Sequence, residues 1–167
     1  FRNFANKRLG VNRLEKLVPG LSARDAGTLV HLVLEMFWKS MQSQKNLLAT
    51  DPKDLETKLA GIINTAVIET AARHKATMTE KYCELEKRRL HDLLLQWLEE
   101  ERLRGSFTVV DSECDTTWQF QNLTLNLRID RIDKTAEDKL VLVDYKTSRS
   151  TSVDWEELRP VNSQLML

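Results

Sequence analysis

The sequence predicts an α+β fold with α/β/α-like layering, in which a helical N-terminal half packs on a small mixed β-sheet that includes an antiparallel hairpin. Two patterns predict this fold. Through residues 1–105 the apolar positions recur at helical spacing, whereas in residues 106–167 they alternate as in strands before a last helix begins. The 167 residues, 41% of them hydrophobic, are enough for one domain with a core. We expect a single domain, residues 1–167, cut from a longer protein at both ends.

Four helices are predicted in the first part. A short one covers residues 1–9, and the next begins at a Ser22 cap. The third begins at Asp51-Pro52, where Asp caps the free amides and Pro fits the first turn. The fourth covers about residues 77–104 and ends at Gly105. The apolar stripe of the second helix is Ala26, Leu29, Val30, Val33, Phe37 and Met41. That of the third helix is Leu55, Leu59, Ile62, Ile63, Ala66 and Val67, and that of the fourth is Tyr82, Leu85, Leu90, Leu93, Leu94, Trp97 and Leu98.

The strands follow Gly105. Residues 106–113 are rich in β-formers, and residues 118–120 begin another extended stretch. Residues 123–130 alternate strictly between apolar and polar, and residues 140–146 form a second apolar run after a polar turn. These last two runs predict an antiparallel hairpin. A turn and the start of a helix are expected after Ser152.

Charge and cysteine content exclude several classes of protein. Twenty-five basic residues balance twenty-five acidic ones, so no global field attracts nucleic acid or an anionic membrane. Two cysteines, Cys83 and Cys114, cannot form a disulfide framework or a four-ligand zinc site by themselves. The longest apolar stretch, residues 28–38, is too short to span a bilayer. Residues 1–18 hold five basic residues against one acid, which is a local basic patch or a solvated face.

Two carboxylates and one amine converge at the end of the predicted hairpin. Asp130 closes one strand, and Asp144 and Lys146 close the other, on one face because they are two residues apart. Neighbouring carboxylates repel one another unless a cation lies between them, and oxygen ligands suit Mg²⁺ or Mn²⁺. Such an ion activates water against a phosphodiester, and Lys146 would orient that water or stabilise the developing charge. A surface ion pair remains the alternative interpretation.

These residues resemble the PD-(D/E)XK nuclease superfamily, specifically its RecB-type exonuclease branch. Asp130 and then Asp144-Tyr145-Lys146 match its central motifs, and Gly27 to His31 resembles its upstream G-x-x-x-H motif on a helix. Gln164-Leu165 resembles the downstream Q-x-x-x-Y motif. The opening Phe1-Arg2-x-Phe4-Ala5 resembles AddB-like proteins and bacterial DNA repair proteins of this branch.

The resemblance implies a role for each matching position and a restriction-endonuclease-like core. His31, Asp130, Asp144 and the backbone carbonyl of Tyr145 would bind Mg²⁺ or Mn²⁺, and Lys146 would be the catalytic lysine, with Asp130, Asp144 and Gln164 completing the catalytic set. Glu113 would correspond to an additional acidic position of some members. Glu35 would be a partner of His31 or an ordinary solvent-facing residue. The two cysteines lie away from the family's iron–sulfur positions, so no such cluster is expected within residues 1–167.

The implied protein is a metal-dependent deoxyribonuclease, favoured to be an exonuclease, that works beside a helicase module or subunit in bacterial DNA repair and recombination. Its location would be the cytoplasm, with no membrane association. DNA phosphates would meet a basic rim of Arg2, Lys7, Arg8, Arg128, Arg131 and Arg149.

Two alternatives stay open. The domain could keep the fold without catalysis, as an inactive DNA-binding or structural module of a helicase–nuclease complex. A helical protein-interaction domain, suggested by the long fourth helix, leaves His31 and the Asp144-Tyr145-Lys146 motif unexplained.

Overall fold

A computed structural model describes residues 20–120 and 123–146 of the chain. Four helices come first: α1 Ala23–Met41, α2 Gln44–Ala49, α3 Pro52–Arg73 and α4 Glu80–Leu103. Three strands follow: β1 Phe107–Phe120, β2 Leu123–Thr135 and β3 Leu140–Val143. The α+β fold is confirmed. The helices predicted over residues 1–9 and after Ser152 lie outside the described residues.

The helix starts follow the predicted capping residues. Ser22 caps α1 by accepting a hydrogen bond from the Asp25 amide, and Asp51 caps α3 in the same way through the Lys53 amide. The long helix α4 begins at the Thr79 cap and ends one residue earlier than predicted, at Leu103. The six-residue α2 was not predicted, since a helix this short has little room for a repeating apolar pattern.

The described sheet is antiparallel throughout, in the order β1-β2-β3, whereas a mixed sheet was expected. An antiparallel hairpin exists as β2 and β3, but its four pairs run from Arg131↔Val143 to Lys134↔Leu140. The first strand continues past Asp130, where it was expected to end, and the second ends at Val143, before Asp144 and Lys146. The main partner of β2 is β1, a long strand with a bulge between Val109 and Asp111 where two separate stretches were expected. The two-strand ribbon β1–β2 therefore brings residues near position 113 of β1 beside Asp130.

The core lies between the helices and one end of the sheet. The predicted stripes of α1 and α3 are largely buried, and Trp38, at 1% exposure, joins them against Phe107. On α4 the buried side is Leu90, Leu94 and Leu98, whereas Leu85 and Leu93 are exposed and correct the predicted stripe. The Val109 amide donates to the Gln42 carbonyl, which fixes the end of α1 to β1. This contact holds α1 beside the sheet along the edge where the candidate site lies.

None of the four helices is both long and apolar enough to cross a bilayer.

Candidate metal centre

Three side chains from three elements meet beside the sheet. His31 comes from α1, Glu113 from β1 and Asp130 from β2, and their ligand atoms all lie within 4.8 Å of one another. His31 Nδ1 is 3.3 Å from Asp130 Oδ1 and 3.7 Å from Glu113 Oε1. One imidazole nitrogen and two carboxylates are a donor set that suits Mn²⁺ and, with more oxygen ligands, Mg²⁺.

Glu113 reaches the cluster through an unusual backbone conformation. Its φ of 53° lies in the left-handed region, which costs free energy for a residue with a side chain. Arg128, which lies diagonally across the ribbon and pairs with Asp115 in the sheet, holds the other oxygen: its Nε lies 2.6 Å from Glu113 Oε2. The carboxylate is thus held between Arg128 and His31, and its side chain is only 11% exposed.

The backbone of Tyr145 contacts two members of the cluster, Asp130 and His31. Its amide donates to Asp130 Oδ2 at 2.6 Å, and its carbonyl lies 3.0 Å from His31 Nε2. If Nε2 carries the proton and donates to this carbonyl, Nδ1 is the nitrogen left to face the carboxylates. Metal-binding histidines are commonly oriented by such a hydrogen bond at the other ring nitrogen.

The electrostatics of the cluster favour a cation between the carboxylates. Hydrogen bonding to Asp130 is the main reason that the pKa of His31 is raised, and it outweighs burial, which acts in the opposite direction. Burial by itself would raise the pKa of Asp130, but hydrogen bonds from His31 and the Tyr145 amide outweigh it and lower that pKa. Both pKa shifts arise because the two carboxylates favour a positive charge beside them, which a bound metal ion would also supply.

Asp144 and Lys146 lie together next to the cluster. Lys146 Nζ is 2.6 Å from Asp144 Oδ2, and both residues lie just beyond the end of β3. Asp144 is not among the three residues within 4.8 Å of one another, although it lines the same cavity. Its Oδ2 is buried and has no well-aligned hydrogen bond to any described residue. The pair therefore places an ammonium group and an incompletely satisfied carboxylate oxygen beside the three-residue cluster.

An open cavity of about 650 Å³ contains the cluster. His31, Glu113, Asp130 and Asp144 line one part of it, and Arg24, Arg73 and His74 line another. Arg24 and Arg73 are exposed. The cavity thus combines a candidate metal centre with cationic side chains that the charge pattern of the sequence did not single out.

The structure also places the remaining predicted residues. Glu35 pairs with Lys39 at 2.6 Å rather than with His31. Arg128 is exposed and lines the cavity, as a phosphate-contacting residue would. Arg131 was expected on the DNA-contacting rim, and this expectation is wrong, because the residue is buried and its side chain is ion-paired with Glu101 and Asp133. The other candidates, Arg2, Lys7, Arg8, Arg149 and Gln164, lie outside the described residues.

Two features of the site had little signal in the sequence. Glu113 lies within a long strand, and only its nearness to a predicted strand end and the resemblance to an additional acidic position of some family members suggested a role. The orienting role of the Tyr145 backbone depends on Asp130 and His31, which are 15 and 114 residues away.

Comparison with known proteins identifies the family of the chain. The family model of the PD-(D/E)XK nuclease superfamily matches residues 1–167. No curated protein matches the chain. The family model covers every residue of the cluster and the Asp144-Tyr145-Lys146 motif. The chain therefore belongs to the PD-(D/E)XK nuclease superfamily.

Proposed function

We propose that this chain hydrolyses phosphodiester bonds in DNA with the help of Mn²⁺ or Mg²⁺. The observation that carries the proposal is the convergence of His31, Glu113 and Asp130 within 4.8 Å, next to the Asp144–Lys146 pair, in a superfamily of nucleases. When bound, the ion would activate a water molecule and offset charge on the phosphate.

The residues of the chain would bind the ion and stabilise the reacting groups. His31, Asp130 and Asp144 would hold the ion, and Glu113 would add a carboxylate. The Tyr145 carbonyl, expected as a further ligand, would instead orient His31 at its other ring nitrogen. Lys146, whose side chain is 42% exposed, would orient the attacking water or stabilise the negative charge that develops on the phosphate. Asp144 would keep that ammonium in place through their contact.

DNA would enter along the open cavity. Arg128 lies on one side of the cluster, and Arg24 and Arg73 line another part of the same cavity. Their charges suit phosphate oxygens without reading the base sequence. Arg2, Lys7, Arg8 and Arg149 remain predicted contacts.

The test compares Lys146→Ala with Lys134→Ala. Lys134 forms an ion pair of the same length, 2.6 Å to Asp138, at the exposed β2–β3 turn, and so provides a matched control. We expect Lys146→Ala to lower the rate of DNA cleavage by about 100-fold or more while Mn²⁺ binding persists, since a general acid or base contributes about that much. Lys134→Ala should cut at the wild-type rate. Asp130→Ala should lose Mn²⁺ binding, measured by calorimetry, together with cleavage.

Equal cleavage by Lys146→Ala and wild type would overturn the catalytic assignment. One observation favours a second candidate function, an inactive nuclease-like DNA-binding or structural module: Asp144 is paired with Lys146 and lies outside the three-residue cluster. That function predicts DNA binding with no cleavage at any Mn²⁺ concentration that saturates the site.

The wider setting is also a proposal. The motif order at His31, Asp130, Asp144 to Lys146 and Gln164 supports the RecB-type branch, exonuclease action and work beside a helicase module in a DNA repair protein of the bacterial cytoplasm. Degradation of linear DNA but not of covalently closed circles would support exonuclease action. Gln164→Ala should lower that activity if Gln164 belongs to the site.

A further inference from the structure

A buried network of charges lies next to the candidate metal centre. The Arg131 side chain, at 1% exposure, has Nη2 3.0 Å from Glu101 Oε2 on α4 and Nε 2.8 Å from Asp133 Oδ1 on β2. Its guanidinium stacks 4.4 Å from the centre of the Trp38 ring. Arg104 closes the network on its outer side through Glu101 and Asp133. Burying this many charges is costly unless each is paired, and apolar side chains of similar volume would commonly be as stable.

One hydrogen bond connects this network to the candidate metal centre. Arg131 Nη1 donates to the Tyr145 hydroxyl at 2.9 Å. The Tyr145 ring also packs edge-to-face against Trp97, with 5.6 Å between centroids, and against His31, with 5.8 Å. The ring is thus held at its tip by a hydrogen bond and along its sides by aromatic contacts.

The backbone of the same residue carries the two bonds that orient the cluster, from the Tyr145 amide to Asp130 and between its carbonyl and His31. Asp144 and Lys146 are its immediate neighbours in the chain. Fixing the tyrosine ring therefore restrains the peptide groups that orient His31 and Asp130, together with the direction in which Asp144 and Lys146 project.

We propose that Arg131 and Tyr145 are positioning residues that hold the candidate metal centre in its binding geometry through the Tyr145 hydroxyl. This inference rests on the proposed function, because it assigns these residues a part in metal binding. Their role is to connect a buried charge network to the segment that follows β3, where the strand pairing stops at Val143.

Tyr145→Phe tests the proposal, with Arg104→Gln as the matched control. The first variant keeps the ring and removes only the hydroxyl that Arg131 holds, whereas the second disturbs the same network at Glu101 and Asp133 without touching Tyr145. We expect Mn²⁺ binding by Tyr145→Phe, measured by calorimetry, to weaken about tenfold, as is usual when a group that orients a ligand is lost. Arg104→Gln should lower the melting temperature but bind Mn²⁺ as the wild type does. Cleavage by Tyr145→Phe should show a lower kcat with an unchanged KM for DNA.

A second variant gives a readout without metal. Tyr82 and Tyr145 are the only tyrosines in the chain, so protein labelled with ¹⁵N-tyrosine gives two backbone amide signals. Arg131→Lys keeps the charge but lacks the planar guanidinium group, whose several N–H donors reach the Tyr145 hydroxyl and both carboxylates at once. We expect the Tyr145 amide signal to shift in Arg131→Lys, because its bond to Asp130 changes, while the Tyr82 signal stays in place.

The outcomes separate the two proposals. Wild-type Mn²⁺ affinity in Tyr145→Phe, or an unmoved Tyr145 signal in Arg131→Lys, would overturn the positioning role and leave the proposed function standing. If the wild-type protein itself binds no Mn²⁺, the proposed function fails, and the amide signals still decide whether Arg131 positions Tyr145.

Discussion

Neutralising Asp133 should destabilise the protein strongly, although the residue makes no contact with the candidate metal centre. Asp133 is 0% exposed and lies 2.8 Å from Arg131 and 3.1 Å from Arg104. In the wild type two guanidinium groups face two carboxylates, those of Asp133 and Glu101. Asp133→Asn keeps the shape and leaves both guanidinium groups facing one carboxylate.

The expected loss follows from this imbalance. Removing one partner of a buried ion pair costs about 3–5 kcal/mol. Asn still accepts a hydrogen bond, and Arg104 is one-third exposed, so we expect the lower end, about 3 kcal/mol. Since 1 kcal/mol shifts the melting temperature of a chain of this length by about 2–4 °C, the variant should melt roughly 6–12 °C lower.

Urea denaturation and calorimetry of Asp133→Asn, Arg104→Gln and the double variant form the assay. The double variant again has one cation facing one anion, so it should be more stable than the sum of the two single losses implies, by about 0.5–3 kcal/mol. A loss below about 1 kcal/mol for Asp133→Asn, or strict additivity in the double variant, would refute the view that buried charge balance stabilises this region.

Three further changes test separate parts of the structure. Gly61→Ala, at an open position within α3, should raise stability by about 0.5–1 kcal/mol, because alanine is the better helix former. Gly20→Ala should lower the melting temperature clearly, since Gly20 has a φ of 97° and a Cβ there would clash with the Tyr82 ring. Gly61→Ala melting below the wild type, or Gly20→Ala melting at or above it, would contradict the respective expectation. Arg128→Gln should weaken DNA binding in filter or anisotropy assays. It should change Mn²⁺ affinity by at most about fivefold, because its ion pair with Glu113 is exposed on the Arg128 side; unchanged DNA affinity would remove Arg128 from the proposed DNA path.

Local rules explain what could be predicted from the sequence. Helices α1 and α3 start at their predicted caps because capping depends on an amide two or three residues away. The contact between Asp144 and Lys146 is also local, since the two residues are only two positions apart, although both lie beyond the end of β3 at Val143. The order of helices and strands likewise followed from periodicity and alternation.

By itself, then, the sequence determined the α+β order and the capped helices, because each depends on neighbours within one or two turns, whereas the candidate ligands such as His31 came from the resemblance to the family. Only the tertiary structure decided that Glu113 joins His31 and Asp130, and that Arg131 is buried rather than presented to DNA. A charged side chain is placed by where its counter-charge lies, and the partner of Arg131 on α4, Glu101, is 30 residues away along the chain. Packing of the helices against the sheet brings such distant partners together, and no local pattern encodes that.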